Sequence, residues 1–235
     1  MLALKTIIEE IIKPESENIN ICKKQAWKIF LQCFLYQLFF LFLSAILFSI
    51  FHFLLEDIWM EKIQYRIDFD SLFQQKRYSS ILIISIIAPF LEEIIFRLPL
   101  VLRQTYVKYA LFSSIIYFFS LIWAKSDLVY FLYAGIIILI FSSLLIVREN
   151  IIEKLNTRYR KQIVWGSVLL FSVIHFGNFE PLTIQTLPLI CIRQIPVLSF
   201  AVFATYLRLK SGVMYAILFH FFVNSFPWLF YVFQI

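Results

Sequence analysis

KIFLQCFLYQLFFLFLSAILFSIFHFLL, residues 28–55, has a single charged side chain, Lys28, at its start. Everything after it is apolar or neutral. Crossing the hydrocarbon of a bilayer takes about 20 consecutive, mostly apolar residues in a helix. The stretch satisfies that requirement with residues to spare. Working outward, six further segments have the same character: 79–102, 107–124, 127–147, 162–181, 186–207 and 211–233. The sequence therefore predicts an all-α, polytopic transmembrane helical bundle of about seven spans.

Composition supports this reading. The chain has 235 residues, of which 61% are hydrophobic and 15% charged, with 28 Phe. A soluble domain has roughly 45–50% apolar and about 25% charged residues. The surplus cannot be hidden in one core, whereas a lipid-facing surface accommodates it. Only four glycines occur and no run alternates in hydrophobicity, which argues against a β-barrel. Helices remain as the way to cross lipid. The formal net charge of +6 reads as Lys and Arg retained on one side of a membrane, not as a nucleic-acid surface. Cys22, Cys33 and Cys191 lie far apart without a CxxC pattern and read as ordinary apolar residues.

No segment is long enough for a separate soluble domain, so residues 1–235 read as one membrane domain, with an amphipathic, cytoplasmic segment over 1–27. Ile7, Ile8, Ile11 and Ile12 share one helical face there, Pro14 ends it, and Glu9 and Glu10 exclude a signal peptide. This face predicts a short helix lying on the membrane surface, with a frayed cytosolic tail as the alternative. The connections are short apart from a polar stretch, Glu56–Arg77, and a charged loop, Arg148–Lys161. With a cytoplasmic N-terminus, the inner segments carry fourteen Lys and Arg against five outside. That bias predicts the N-terminus in and the C-terminus out, in an integral protein expected in the cell (plasma) membrane.

An ionisable side chain at the centre of a membrane helix costs at least about 2.5–3.5 kcal/mol, so such residues mark function. They are few: Glu92, Glu93, Arg97, His175, Arg193 and His220, with the amides Asn178 and Asn224. Glu93 and Arg97 are four apart and neighbours on one helix face. Pairing them cancels two charges and leaves Glu92 in need of a cation, a proton or a metal. His220 and Asn224 are also one turn apart. Glu92, His175 and His220 each lie near the middle of a different predicted span, where the three can meet. Arg193, bracketed by Pro188 and Pro196, is expected to snorkel or to cap a broken helix.

EExxxR at Glu92–Arg97, FxxxH at Phe171–His175 and HxxxN at His220–Asn224 resemble, in order, the three motifs of the CPBP family of CAAX prenyl endopeptidases and bacteriocin-processing, Abi-type membrane proteases. APFLEEIIFR and YLRLKSGVMYAILFHFFVN resemble the text around the first and last of them. Two departures stand out. Leu98 and Pro99 follow the motif Arg where the family commonly has Gly, and Glu92 and His175 are 83 residues apart, farther than usual. The resemblance implies a catalytic core over 79–226 and an intramembrane endopeptidase acting on a membrane-associated peptide or protein, by CAAX-type or leader-peptide processing.

The residues themselves allow two schemes. No Ser or Cys is set beside a histidine as a nucleophile, so water takes that part. In one scheme Glu92 is the general base, His175 orients the water, His220 and Asn224 stabilise the oxyanion, and Glu93 with Arg97 fixes the helix face. In the other, Glu92, His175 and His220 hold a divalent metal such as zinc, as in a metalloprotease. Asn beside two His and a Glu favours the first. Two non-proteolytic readings stand beside these: a membrane immunity or scaffold protein without catalysis, and a proton-coupled transporter.

Overall fold

The computed structural model describes residues 4–12, 21–55, 64–65, 82–122, 139, 147–180, 183–184 and 186–232. Eight helices account for nearly all of them: α1 (Leu4–Ile12), α2 (Lys23–Leu55), α3 (Ala88–Phe96), α4 (Gln104–Ile122), α5 (Glu149–Arg158), α6 (Arg160–Ile174), α7 (Leu187–Ser211) and α8 (Val213–Val232). A π-helical turn, Ile83–Ile87, leads into α3, and 3-10 turns at Leu98–Leu100 and His175–Asn178 follow α3 and α6. The one strand pairing among the described residues is a two-residue antiparallel contact, β1 (Gln64–Tyr65) against β2 (Phe179–Glu180). The helical class expected from the sequence is what folds.

Two of these helices, over Lys23–Phe51 and Leu187–Ser211, are long and apolar enough to cross a membrane, and Val213–Ser225 is a shorter apolar helix. On α2 the residues Leu31, Leu35, Phe39, Phe42, Ile46 and Ile50 are exposed. They recur every three or four positions, which places them on one face. A continuous exposed stripe of Leu, Ile and Phe is unfavourable in water and expected in lipid. The segments expected at 107–124 and 186–207 correspond to α4 and α7, whereas 127–147 lies outside the described residues apart from Leu139 and Val147.

Helix α7 is the hub, with α2, α6, α8 and α1 packed around it. Its junction with α8 is a single residue, Gly212, at φ 99°, whose N–H donates to the Leu207 carbonyl at 3.1 Å. A side chain is strained at such a φ, so glycine permits the abrupt return. The two helices form a tight hairpin that stacks Phe219 on Phe200, ring centroids 5.2 Å apart.

Helix α7 does not break at Pro196, contrary to the expectation from its two prolines. Proline has no N–H, so the carbonyl four residues earlier, Ile192, loses its helical donor. Ser44 of α2 donates its hydroxyl to that carbonyl at 2.8 Å. One turn away, Gln37 donates to the Pro196 carbonyl and accepts from Ser199, both at 2.9 Å. The polar residues of α2 thus stitch it to the weak point of α7. The Arg193 guanidinium lies over the Phe48 ring, 3.9 Å from the centroid.

Two other expectations change. The segment expected as a charged loop, Arg148–Lys161, contains α5, which turns Ile152 inward and leaves Glu149, Glu153, Lys154 and Arg158 outside. The amphipathic helix at the N-terminus forms as α1, and part of its apolar face meets protein while Ile8 stays exposed. Ile7 and Ile11 are fully buried in the main core beside α6 and α7, and Glu10 pairs with Lys210. A protein groove desolvates those isoleucines as fully as a membrane surface would. Pro14 lies outside the described residues.

Candidate active site

The run APFLEEIIF makes α3, opened by Pro89 in its first turn, where a missing N–H costs nothing. The helix stops at Phe96 because Pro99 lacks an N–H and disfavours helical backbone at the residue before it. Glu92 and Glu93 are both buried on this short helix, as is Arg97 just after it.

Glu93 faces two partners. Its Oε2 lies 3.6 Å from Arg97 Nε, one turn along the chain, and its Oε1 lies 2.9 Å from His220 Nδ1 on α8. The pairing of Glu93 with Arg97 anticipated from their spacing is present, and the imidazole is an addition to it. The Arg97 guanidinium rests on the Phe171 ring, 3.9 Å from the centroid, and lies 5.8 and 5.7 Å from the rings of Phe96 and Phe200. Three aromatic faces and one carboxylate surround a fully buried cation.

Glu92 is not alone either. His175 Nε2 lies 3.8 Å and His220 Nε2 3.7 Å from the same atom, Glu92 Oε2. His175 stands in the 3-10 turn after α6, not within the helix as the expected span 162–181 implied. Its Nδ1 is 2.7 Å from the Phe171 carbonyl and its ring centroid 4.2 Å from that of Phe171. The FxxxH spacing is therefore one helical turn, used twice. Phe200 holds the other imidazole, 4.4 Å from His220.

These contacts fix the hydrogens. A carbonyl can only accept, so His175 Nδ1 donates to Phe171, and a neutral ring then presents a lone pair at Nε2. The Glu93 carboxylate, beside Arg97, likewise accepts from His220 Nδ1. When both rings are neutral, their Nε2 lone pairs converge on Glu92 Oε2, at separations longer than the roughly 2.7–3.2 Å of a direct hydrogen bond. Three acceptors facing one another repel. The arrangement favours a proton, the hydrogens of a water or a cation among them.

Asn224 lies one turn beyond His220 on α8 and is half-buried, while Asn178 is exposed in the turn after His175. Glu92, Glu93, Arg97, His175 and His220 are thus joined by direct contacts, and Asn224 shares the helix of His220.

The donor set suits zinc chemically: one carboxylate and two imidazoles, with Glu93 and the Phe171 carbonyl orienting the rings from behind. Ligands about 2.0–2.1 Å from a tetrahedral zinc are about 3.3 Å from one another. The separations here are wider, and among the described residues no group of three His, Cys, Asp or Glu side chains is placed to hold a metal ion.

Three supporting residues carry no signal in the sequence. Ser167 of α6 donates to the Phe96 carbonyl at 2.6 Å, and Arg208 of α7 donates from Nε to the Arg97 carbonyl at 3.0 Å. Phe200 is one of 28 phenylalanines. Arg208 has the look of one more inner-side cation, and only its burial sets it apart.

The fold is a helical bundle, two of whose described helices are long and apolar enough to cross a membrane, around a buried centre of two carboxylates and two imidazoles. A family model described as type II CAAX prenyl endopeptidase Rce1-like matches residues 145–226, about a third of the chain. The matched region holds the FxxxH and HxxxN motifs, and the Glu92–Arg97 motif precedes it. It is the family that the motifs resemble, and it supports a CAAX-type intramembrane endopeptidase in general, with a peptide or protein as substrate. Neither the curated proteins nor the solved structures provide a match to this chain.

Proposed function

We propose that the chain cleaves a peptide bond of a membrane-associated protein or peptide, by CAAX-type or leader-peptide processing, with water activated by Glu92. The observation that carries the reading is the convergence of His175 Nε2 and His220 Nε2 on one oxygen of Glu92.

A water bound there gives one hydrogen to Glu92 and the other to His175 Nε2, which turns its lone pair toward the scissile carbonyl. Glu92 takes the proton as the water attacks and passes it to the leaving amine as the bond breaks. His220, when protonated, donates from Nε2 to the developing oxyanion, and Glu93 at its Nδ1 stabilises the imidazolium. Asn224 supplies a further donor; such donors are worth a few kcal/mol each. Glu93 and Arg97 keep both carboxylates on the site face of α3. A cytoplasmic N-terminus and a place in the plasma membrane belong to the same proposal.

The test is cleavage by the purified full chain in liposomes, using a prenylated CAAX peptide and a membrane-bound leader peptide. Glu92→Gln keeps the shape of the side chain but cannot take the proton, so activity is lost while the protein remains folded. Undiminished cleavage by this variant removes Glu92 as the base. Peptide binding without cleavage by the unaltered chain indicates a scaffold or immunity protein, and proton flux coupled to a solute indicates a transporter.

A further inference from the structure

We infer that Arg208 is a positioning residue for Glu92 and Glu93, acting through the main-chain carbonyls that close α3. This rests on the catalytic reading above.

A helix leaves its last carbonyls without helical donors. Here the shortage is acute, because Pro99 has no N–H and the backbone is extended by Val101. Three consecutive carbonyls are met by side chains from elsewhere. Phe96 O accepts from Ser167 Oγ at 2.6 Å, Arg97 O from Arg208 Nε at 3.0 Å and Leu98 O from Arg208 Nη2 at 3.4 Å. Arg97 O also accepts from Leu100 N–H at 3.3 Å in the 3-10 turn.

The donors come from the helices that form the opposite wall of the site. Helix α6 brings Ser167 and leads into the turn bearing His175, and α7 brings Arg208 together with Phe200, the ring against His220. Arg208 therefore ties the carboxylate helix to the scaffold of the imidazoles. The lever is one turn long, about 5.4 Å: Arg97 N–H donates to the Glu93 carbonyl at 2.9 Å. A shift of Arg97 thus moves Glu93, and with it the contact to His220.

Burial makes the assignment specific. Arg208 is 8% exposed although it stands near a helix end, where a cation can normally reach water. A buried guanidinium is costly unless its hydrogens are used. Two of its nitrogens reach adjacent carbonyls as a rigid fork, a geometry that the single ammonium of lysine cannot reproduce. Its charge also complements the negative end of α3.

The experiment uses the full chain in detergent and compares Arg208→Met and Arg208→Lys with the unaltered protein. Cleavage kinetics are measured beside the NMR resonance of the His220 Nδ1 hydrogen, which reports its hydrogen bond to Glu93; with three histidines in the chain, single substitutions assign it. Positioning predicts that R208M lowers kcat about a hundredfold at nearly constant KM, since a misplacement of ~1 Å can cost that much. The His220 Nδ1–H resonance shifts as Glu93 drifts, and R208K recovers part of both. An R208M protein with unaltered kcat and an unaltered His220 Nδ1–H resonance overturns the inference. So does a fall in kcat that only tracks loss of folded protein, with His220 unchanged in the folded remainder. If R208M does not fold, R208K carries the same two readings. If the unaltered chain cleaves nothing, the catalytic reading fails, while the His220 Nδ1–H resonance still reports whether Arg208 holds Glu93 in place.

Discussion

His220 Nδ1 and Glu93 Oε1 are 2.9 Å apart, a contact between residues 127 positions apart in the chain. It joins the first motif to the last and turns an ion pair within one helix into a charge network across two. Glu93 is fully buried and simultaneously holds Arg97 and His220. Removing it strands a guanidinium and leaves an imidazole without orientation.

Glu93→Ala is accordingly expected to destabilise the protein by about 3–5 kcal/mol, the usual cost of breaking a buried pair on one side. Adding Arg97→Met to that variant removes the stranded cation and restores part of the loss. Unfolding in detergent measures both. Strict additivity of the two single substitutions would contradict the network.

The joint between α2 and α7 gives a second test. Ser44→Ala leaves the Ile192 carbonyl unpaired, because Pro196 cannot supply the helical N–H. The expected loss is about 1–3 kcal/mol. In a Pro196→Ala background, residue 196 has an N–H to offer and the same substitution costs less. Equal costs in the two backgrounds would mean that the serine does not serve this carbonyl.

How far the sequence could be read depends on the kind of signal. The helical class was legible in residues 28–55, since a long run without charge has few alternatives. The polar residues of the site were legible because each is an exception in an apolar span: Glu92, Glu93, Arg97, His175 and His220 stand out on cost alone, and they do come together. What was hidden is whatever looks ordinary. Arg208 sits where a cation is expected on charge bias, Ser167 is a small polar residue of no special spacing, and Ser44 is meaningful only once Pro196 lies opposite it. The fate of α1 was also hidden, because Ile7 and Ile11 are equally content against lipid or protein. Prolines misled in the other direction. Pro188 opens α7 and Pro196 is accommodated by α2, so neither breaks the helix.

Topology offers a third test. With seven crossings, a reporter fused before Met1 lies inside and one fused after Ile235 outside. Protease accessibility of the reporters in sealed vesicles reads this directly. Both on the same side would mean that one segment does not cross. The first suspect is 107–124, the shortest of the seven, whose helix α4 packs mainly against α3.

The last test separates water held by side chains from water held by metal. Asn224 lies one turn from His220, and an amide is a poor metal ligand but a good donor to an oxyanion. The two Nε2 atoms stand 3.8 and 3.7 Å from Glu92 Oε2, wider than zinc ligands would be. Under the water scheme, His220→Asn retains part of the activity, because an amide can still donate a hydrogen bond. It also loses the contact with Glu93, so a drop of about a hundredfold or more in kcat is expected, as for the loss of one oxyanion donor. Under a metal scheme the same substitution removes a ligand, and metal content falls together with activity. Metal analysis of the purified protein before and after chelation, alongside cleavage rate, decides between them. One zinc per chain, whose removal stops cleavage and whose return restores it, would sink the water scheme and leave the endopeptidase reading standing. Full activity after exhaustive chelation would leave Glu92 as the base, with the two imidazoles and Asn224 around it.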